Sequence, residues 1–389
     1  MSHEKSQSKY LNWTNILFFT INTSVSVVGT ILLLMYGTIH SATWILAIIT
    51  WFLFGMGGIT VGYHRLFSHK TFKAKAPVRF ILLLFGAGAF EGSALEWCTD
   101  HRDHHRYTDT DKDPYSIKGG FWYAHIGWIF TLDPSTRNYD NVKDLQDDWM
   151  CRFQHRFFVP IAILMAYLIP IAITCLWGSF WEGLLIAGLR IAALQQFTFC
   201  INSVCHMFGE KTYSTKQSAR DNWFTALLTF GEGYHNFHHQ FPLDYRNALR
   251  FYQFDPSKWT IYTLRCLGLA SDLKRVSTAK RLRYKMQFDF NQIKAMKSNI
   301  GELVQPLYDK VSSQLLHIES LETAIKQLKK QNPFSANGKL SQYQAALSEK
   351  NQQLKAAHYE LKYFIKSWNQ VLANALRLNR KTALLDGVS

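Results

Sequence analysis

The apolar positions of this chain are segregated rather than alternating. Four runs are long enough to cross a bilayer as helices, which takes about 20 residues. They cover roughly 14–36, 43–63, 157–177 and 181–200. The connectors GTIHSA and WGSFWE are very short, so the runs predict two helical hairpins. Neither connector carries Lys or Arg, whereas the N-terminus, the stretch from His64 to Arg156 and everything after Ile201 are rich in both. The positive-inside rule then puts both termini and both large polar segments in the cytoplasm. The first run has no small-residue cleavage signature and is expected as a retained span. A fifth apolar stretch, Val78 to Phe90, is too short to cross and is expected at the cytoplasmic interface. Arg190 falls inside the fourth run, where a charge is costly, so a buried role is expected.

After about Arg281 the pattern changes to apolar seams at steps of three and four. Leu307, Val311, Ile318, Leu321, Ile325 and Leu328 mark one seam. A second follows the turn-like Asn332-Pro333 and Asn337-Gly338, running from Leu340 through Leu354, Leu361 and Trp368 to Ala375. The expectation is an antiparallel helical hairpin or a coiled coil between chains. The predicted architecture is therefore all-α and integral to the membrane, with a domain over 1–280 and a basic helical extension over 281–389.

Composition sharpens this picture in two places. The chain has 389 residues, 48% of them hydrophobic, which excludes a disordered or collagen-like protein. Its net charge is +15, and residues 281–389 hold 17 Lys and Arg against 8 Asp and Glu. That region suits a docked regulator, an oligomerisation arm or attachment to anionic lipid, with nucleic acid not expected as a partner. The six cysteines show no CxxC pair, and several lie in apolar runs, so they are expected reduced.

Histidine carries the chemistry. Nine of the 15 histidines fall in four clusters on the cytoplasmic side: HRLFSH (His64, His69), HRDHH (His101, His104, His105), His206 in NSVCH, and HNFHH (His235, His238, His239). Positions i, i+3 and i+4 share a helical face, so each HxxHH can aim its rings at one point. His64 and His69 are five apart and fit one face poorly, so a helix break is expected between them. Nine imidazoles overfill a four-ligand zinc site but suit two metals with four or five ligands each. The carboxylate-rich soluble di-iron pattern is not met, since only Glu232 stands three residues before a histidine, at His235. His3, His40, His155, His317, His358 and, among aromatics, His125 are read as structural or solvated.

These residues resemble the membrane-bound fatty acid desaturases, and most narrowly the acyl-CoA delta-9 type. The likeness runs through GITVGYHRLFSHKTFKA, EWCTDHRDHHRYTDTDKDPYS, AHIGW, NSVCHMFGEKTYS and GEGYHNFHHQFPLDYRNALRFYQFDPSKW, covering about residues 40–280. The resemblance implies a cytoplasmic helical cap holding two ferrous ions on the nine histidines, with Asn202 reaching one iron through water. It implies insertion of a cis double bond into a long saturated acyl-CoA, consuming dioxygen and two electrons. It also places Trp97 and Thr198 at the bend of an acyl tunnel. Met56 and Phe52, eight and twelve residues before His64, share a helical face and are expected to close the tunnel floor.

Two departures matter. Where animal members carry basic CoA-binding residues beyond HxGW, this chain reads Thr131, Leu132, Asp133, leaving Arg102 and Arg106 as the expected carrier contacts. No His-Pro-Gly-Gly haem motif occurs, so electrons are expected from a separate acidic cytochrome or ferredoxin. An acyl-lipid desaturase or a membrane hydroxylase shares the same histidine pattern. A metal transporter would instead line a path across the spans with ionisable groups, and here the histidines gather on one side.

Overall fold

A computed structural model describes residues 10–296, 300–330 and 340–386, with side chains through 377. His3 and the expected turns at Asn332-Pro333 and Asn337-Gly338 lie outside the described residues. Among those described, all regular structure is helical apart from one antiparallel pair of two-residue strands, Lys73–Ala74 with Ala270–Ser271. The chain divides into two compact units. One comprises residues up to 211 and 216–275, and the other 212–215 with residues from 276 onward.

Among the described residues of the first unit, three helices are long and apolar enough to cross a bilayer: Trp13–Tyr36, Ser41–Ser68 and Phe180–Met207. The third expected span takes a different form. Trp149–Arg156 and Phe158–Thr174 meet at a bend of 80°, so the apolar segment starts after a sharp corner and ends at Thr174. The Trp13–Tyr36 helix shows lipid-like exposure, with Leu17, Ile21, Val25, Val28 and Leu32 all on its open face. Its start is fixed by Asn12, whose side chain accepts from the Asn15 amide at 3.1 Å and donates to the Leu132 carbonyl at 3.2 Å.

Small and polar residues bring these helices together, as they must where surrounding lipid is as apolar as the side chains. Asn22 Nδ2 donates to the Gly188 carbonyl at 3.2 Å, and Tyr167 donates to Asn22 Oδ1 at 2.7 Å. Both short connectors are tied to the buried Glu182. The His40 amide donates to its carboxylate at 2.8 Å, the Thr43 hydroxyl also donates to it, and Trp177 Nε1 donates to Thr43 Oγ1 at 2.9 Å. Arg190 is buried, as its position implied. It donates to the carbonyls of Gly88 (3.0 Å) and Ala166 (2.9 Å) and lies 4.7 Å from the Phe54 ring.

The fifth apolar stretch forms the helix Ala76–Gly88, packed along Ser41–Ser68. Their approach is set by Gly58, where a Cβ would come within 2.4 Å of the Gly86 backbone nitrogen. The helix Ala94–Tyr107 starts with a capping box, Ser93 N donating to Glu96 Oε2 at 2.9 Å.

The second unit is a bundle of Thr278–Lys294, Ile300–Lys330 and Leu340–Asp386 around Phe290, Val311, Leu315, Ile318, Leu361 and Trp368. The two long helices run antiparallel within one chain: Gln314 donates to the Ala357 carbonyl (3.1 Å), while Tyr308 sits 6.0 Å from Trp368. Most of the two seams read from the sequence packs into this hairpin, with Val311, Ile318, Leu321, Ile325, Leu361, Trp368 and Ala375 buried and Leu340 exposed at the start of the second. The first helix of the bundle is an addition to that reading, held by the stacking of Phe290 on Tyr308 (4.2 Å) and by Arg283 donating to Glu319 (2.6 Å).

Candidate metal centre

The Ser41–Ser68 helix is α-helical only as far as Trp51, and from Phe52 to Ser68 it is wound as a π-helix. The His69 amide donates to the His64 carbonyl at 3.0 Å, an i→i+5 bond. The helix ends at Ser68, so the break falls between the two histidines as expected, but the poor fit of their spacing to one face is corrected. The wider winding puts residues five apart on one face, and their ring centroids lie 4.8 Å apart. The end of this helix leaves carbonyls without helical partners. Arg102 satisfies two of them, Phe67 at 2.7 Å and Ser68 at 3.1 Å.

The other histidines arrive from three helices. His101, His104 and His105 stand on Ala94–Tyr107, and His206 is in the last turn of Phe180–Met207. His235, His238 and His239 occupy the short helix His235–Gln240. Asp221 holds the start of that helix, its Oδ1 accepting from the amides of Asn236 (2.9 Å) and Phe237 (3.1 Å).

All nine rings converge, in two groups. His64, His69, His101, His105 and His238 form one, and His104, His206, His235 and His239 the other, with the donor atoms of each group within 4.8 Å of one another. Each HxxHH therefore serves two points rather than one. Its i and i+4 rings go to one group and its i+3 ring to the other. The groups abut where His105 stacks on His239 at 4.3 Å.

The donor set fits metal ions. Inward-facing Nε2 atoms approach one another at 2.8 Å (His69–His101), 2.9 Å (His238–His105), 3.0 Å (His64–His238 and His239–His235) and 3.1 Å (His235–His206). On the outward side, His64 Nδ1 lies 2.9 Å from Glu232 and His104 Nδ1 lies 2.9 Å from Asp113. His206 Nδ1 lies 2.6 Å from Ser218 Oγ, which donates to Asp109 at 2.5 Å. A carboxylate at Nδ1 holds the proton there and leaves Nε2 as a lone pair. Burial, and after it the neighbouring imidazoles, push His69, His101, His105, His235, His238 and His239 well below the usual range, so the rings are neutral. Lone pairs packed this closely cannot satisfy one another, but a cation among them does. With metal–nitrogen bonds of about 2.1 Å, ligands at right angles sit about 3.0 Å apart and tetrahedral ones about 3.4 Å. The spacings in the five-ring group match a centre of more than four ligands, while in the four-ring group His104 and His239 stand 3.3 Å apart, near the tetrahedral value.

A buried network stiffens the first group. Arg65 donates to Glu232 at 2.9 Å and to the Tyr245 carbonyl at 2.9 Å, and pairs with Asp255 at 3.0 Å. Asn247 Nδ2 donates to Glu232 Oε2 at 2.6 Å. Burial alone would raise Glu232, but the Arg65 guanidinium holds it below the usual carboxylate range, so it stays an anion beside His64.

A cavity of about 450 Å³ opens against both histidine groups. His64, His101, His104 and His235 form part of its wall, with Ile59, Thr60, Trp97, Thr198 and Asn202. Trp97 stacks on His101 at 4.8 Å and its Nε1 donates to Glu91 at 3.4 Å. Burial pushes the Glu91 carboxyl up to about 8, against the hydrogen bonds from Thr198 and Trp97, and its Oε1 is sealed from solvent without a partner.

Residues 42–261 match the model of the fatty acid desaturase family. This chain belongs to that family. It is 44% identical over 272 residues to "Acyl-CoA desaturase 1" of Saccharomyces cerevisiae, covering 67% of this chain and 52% of the yeast protein. It is 45% identical over 273 residues to the "Probable acyl-CoA desaturase" of Schizosaccharomyces pombe, covering 68% and 55%. Against "Delta(9)-fatty-acid desaturase fat-7" of Caenorhabditis elegans the figures are 34% over 277 residues, 68% and 80%. The chain spans about half the length of the two yeast relatives.

The remaining expected residues of this desaturase-family chain divide cleanly. Trp97, Thr198 and Asn202 line the cavity. Met56 and Phe52 are absent from its lining: Met56 Sδ accepts from Thr260 (3.6 Å), and Phe52 packs on Phe230 (5.2 Å). Ile59 and Thr60, five and four residues before His64, line the cavity instead. Arg102 is committed within the protein, its five N–H groups donating to Phe67, Ser68, Asn141 and twice to Asp144. Arg106 is exposed, 5.3 Å from the Tyr107 ring. His125 is bonded away from the centre, to Ser203 (2.9 Å) and Gln196 (3.0 Å). Glu232, Asp113, Asp109, Ser218 and Glu91 escaped the sequence reading. Only Glu232 carried a signal, its spacing from His235.

Proposed function

We propose that this chain is an acyl-CoA delta-9 desaturase, inserting a cis double bond into a long saturated acyl chain with dioxygen and two electrons. The observation that carries the reading is the sorting of nine imidazoles into groups of five and four beside one apolar cavity. Two iron ions would be held, one by His64, His69, His101, His105 and His238, the other by His104, His206, His235 and His239, with Asn202 contributing through water. When bound, such a pair supplies the oxygen activation and hydrogen abstraction that side chains alone cannot provide.

The protein's own part is orientation. Glu232, Asp113 and the Ser218–Asp109 pair hold the ring tautomers, and Arg65 holds Glu232. Methylenes are chemically alike, so the bond position must come from how the cavity wall measures and bends the chain. Trp97 and Thr198, both against Glu91, are the residues assigned to that bend. The membrane frame is four spans in two hairpins, with Phe158–Thr174 as the third, both termini and the histidine centre in the cytoplasm, and the intervening helices as a cap over the metal pair. The net charge of +15 favours an acidic cytochrome or ferredoxin as electron donor. Arg106 remains as a carrier contact.

Expression in a desaturase-deficient host, with double-bond mapping of its lipids, tests the reading. A cis bond between carbons nine and ten, lost in the His104→Ala and His238→Ala variants, supports it. Hydroxylated product, or unsaturation only on intact lipids, replaces it with one of the sister activities. Metal analysis of the purified protein should find about two irons per chain.

A further inference from the structure

The Leu340–Asp386 helix buries Ala357, Leu361 and Trp368 in its bundle and turns a different stripe outward. Lys355, Tyr359, Lys362, Tyr363 and Lys366 follow at steps of three and four, so they share one face, and all five are exposed. The two tyrosine side chains are 79% and 72% exposed, although each ring offers a large apolar surface. No acidic residue stands in the stripe. Glu360 lies on another side of the helix, accepting from Gln314 at 3.0 Å, and Glu349 accepts from Gln353 at 2.9 Å. A helix face built only to meet water mixes the two signs, as the outer positions Glu302, Asp309, Lys310, Glu322 and Lys326 of the neighbouring helix do.

We infer that this basic, aromatic stripe docks on an anionic lipid surface, with the lysines against the headgroups and the tyrosine rings at the level of the interface. Lysine clusters with amphipathic aromatic side chains suit that boundary, where one part of each side chain is wet and the other apolar. The three lysines together strengthen partition to an anionic surface roughly a hundredfold. The partner is at hand, because this bundle continues the same chain as the membrane-spanning helices, and tethering replaces a bimolecular encounter with a local one. The inference rests on the membrane setting of those helices and not on the reaction at the histidine centre.

Hydrogen exchange on the full chain in lipid nanodiscs tests it. Amides around Lys355–Lys366 should exchange about tenfold more slowly in phosphatidylcholine–phosphatidylserine discs than in phosphatidylcholine discs, and high salt should remove the difference. The triple variant K355E/K362E/K366E should abolish the slowing, with peptides around Leu315 and Trp368 unchanged as the check on folding. Y359S/Y363S should weaken it without altering charge. Equal exchange in the two lipid compositions overturns the inference. So does slowing that appears only when polyglutamate is added to neutral discs, which marks an acidic polypeptide as the partner.

Discussion

The amide of His69 bonds to the carbonyl of His64, five residues earlier, and the two rings meet edge to face 4.8 Å apart. One hydrogen bond of the wider register thus converts an unfavourable spacing into a shared face. It also carries both rings to one five-histidine group. Arg102 secures the end of that helix, so its charge has a structural use. We expect Arg102→Ala to orphan the Phe67 and Ser68 carbonyls and to cost about 2–4 kcal/mol. Metal content should fall while the KM for acyl-CoA of the remaining loaded enzyme stays unchanged. Calorimetry with metal analysis, against KM, separates this from a role in binding the acyl carrier.

Glu232 and Asp113 each sit behind one ring, in different groups. Replacing either with its amide keeps the shape but weakens the hold on the Nδ1 proton. We expect Glu232→Gln and Asp113→Asn each to lower metal affinity about 10- to 100-fold. Competition with a chelator, followed by metal analysis, reads this directly, and unchanged retention would remove both carboxylates from the centre.

The cavity wall contains Ile59 but not Met56. Ile59→Trp should therefore suppress turnover while leaving the metal bound, since the added ring fills space in front of the histidines. Met56→Ala should leave the chain-length profile of the product as it was. Gas chromatography of products from both variants checks the pair of expectations.

Burial and mutual repulsion depress six of the histidines. In the unfolded chain these rings protonate near pH 6.5, whereas in the folded metal-free protein they resist protonation until lower pH. Below about pH 6.5 the unfolded state then binds more protons, so stability is full above that value and declines as pH falls. The melting temperature of the metal-free protein should drop between pH 7.5 and about pH 5.5. Bound metal should be released over the same interval, because protons compete for the same lone pairs. A flat melting profile would contradict the buried neutral rings.

Glu91 shifts in the other direction, to about 8. It is neutral at pH 7, and its ionisation puts a carboxylate in the wall of an apolar cavity. We expect turnover to decline above about pH 8 in the native chain and to stay level there in Glu91→Gln. A pH–rate profile of the two proteins distinguishes the outcomes.

The long apolar helices, the four histidine clusters and the C-terminal helical hairpin were legible in the sequence, because each depends on local spacing. A run of apolar residues must be helical in lipid, and HxxHH presents its rings on one side of any α-helix. Arg190 was legible too, since a charge inside a span has few places to go. What stayed hidden depends on contacts between distant residues. The π-register of Phe52–Ser68, the 80° corner before Phe158, the commitment of Arg102 to helix-end carbonyls and the pairing of His64 with Glu232 are all settled by packing.

The sequence by itself singled out the nine histidines that converge and the apolar runs that form the long helices, because both follow from residue type and short-range pattern. Only the tertiary structure decided how the nine rings divide five and four, and which residues face the cavity between helix ends. A change of helical register by one residue per turn rotates every side chain beyond it, and that change is selected by neighbours far away in the chain.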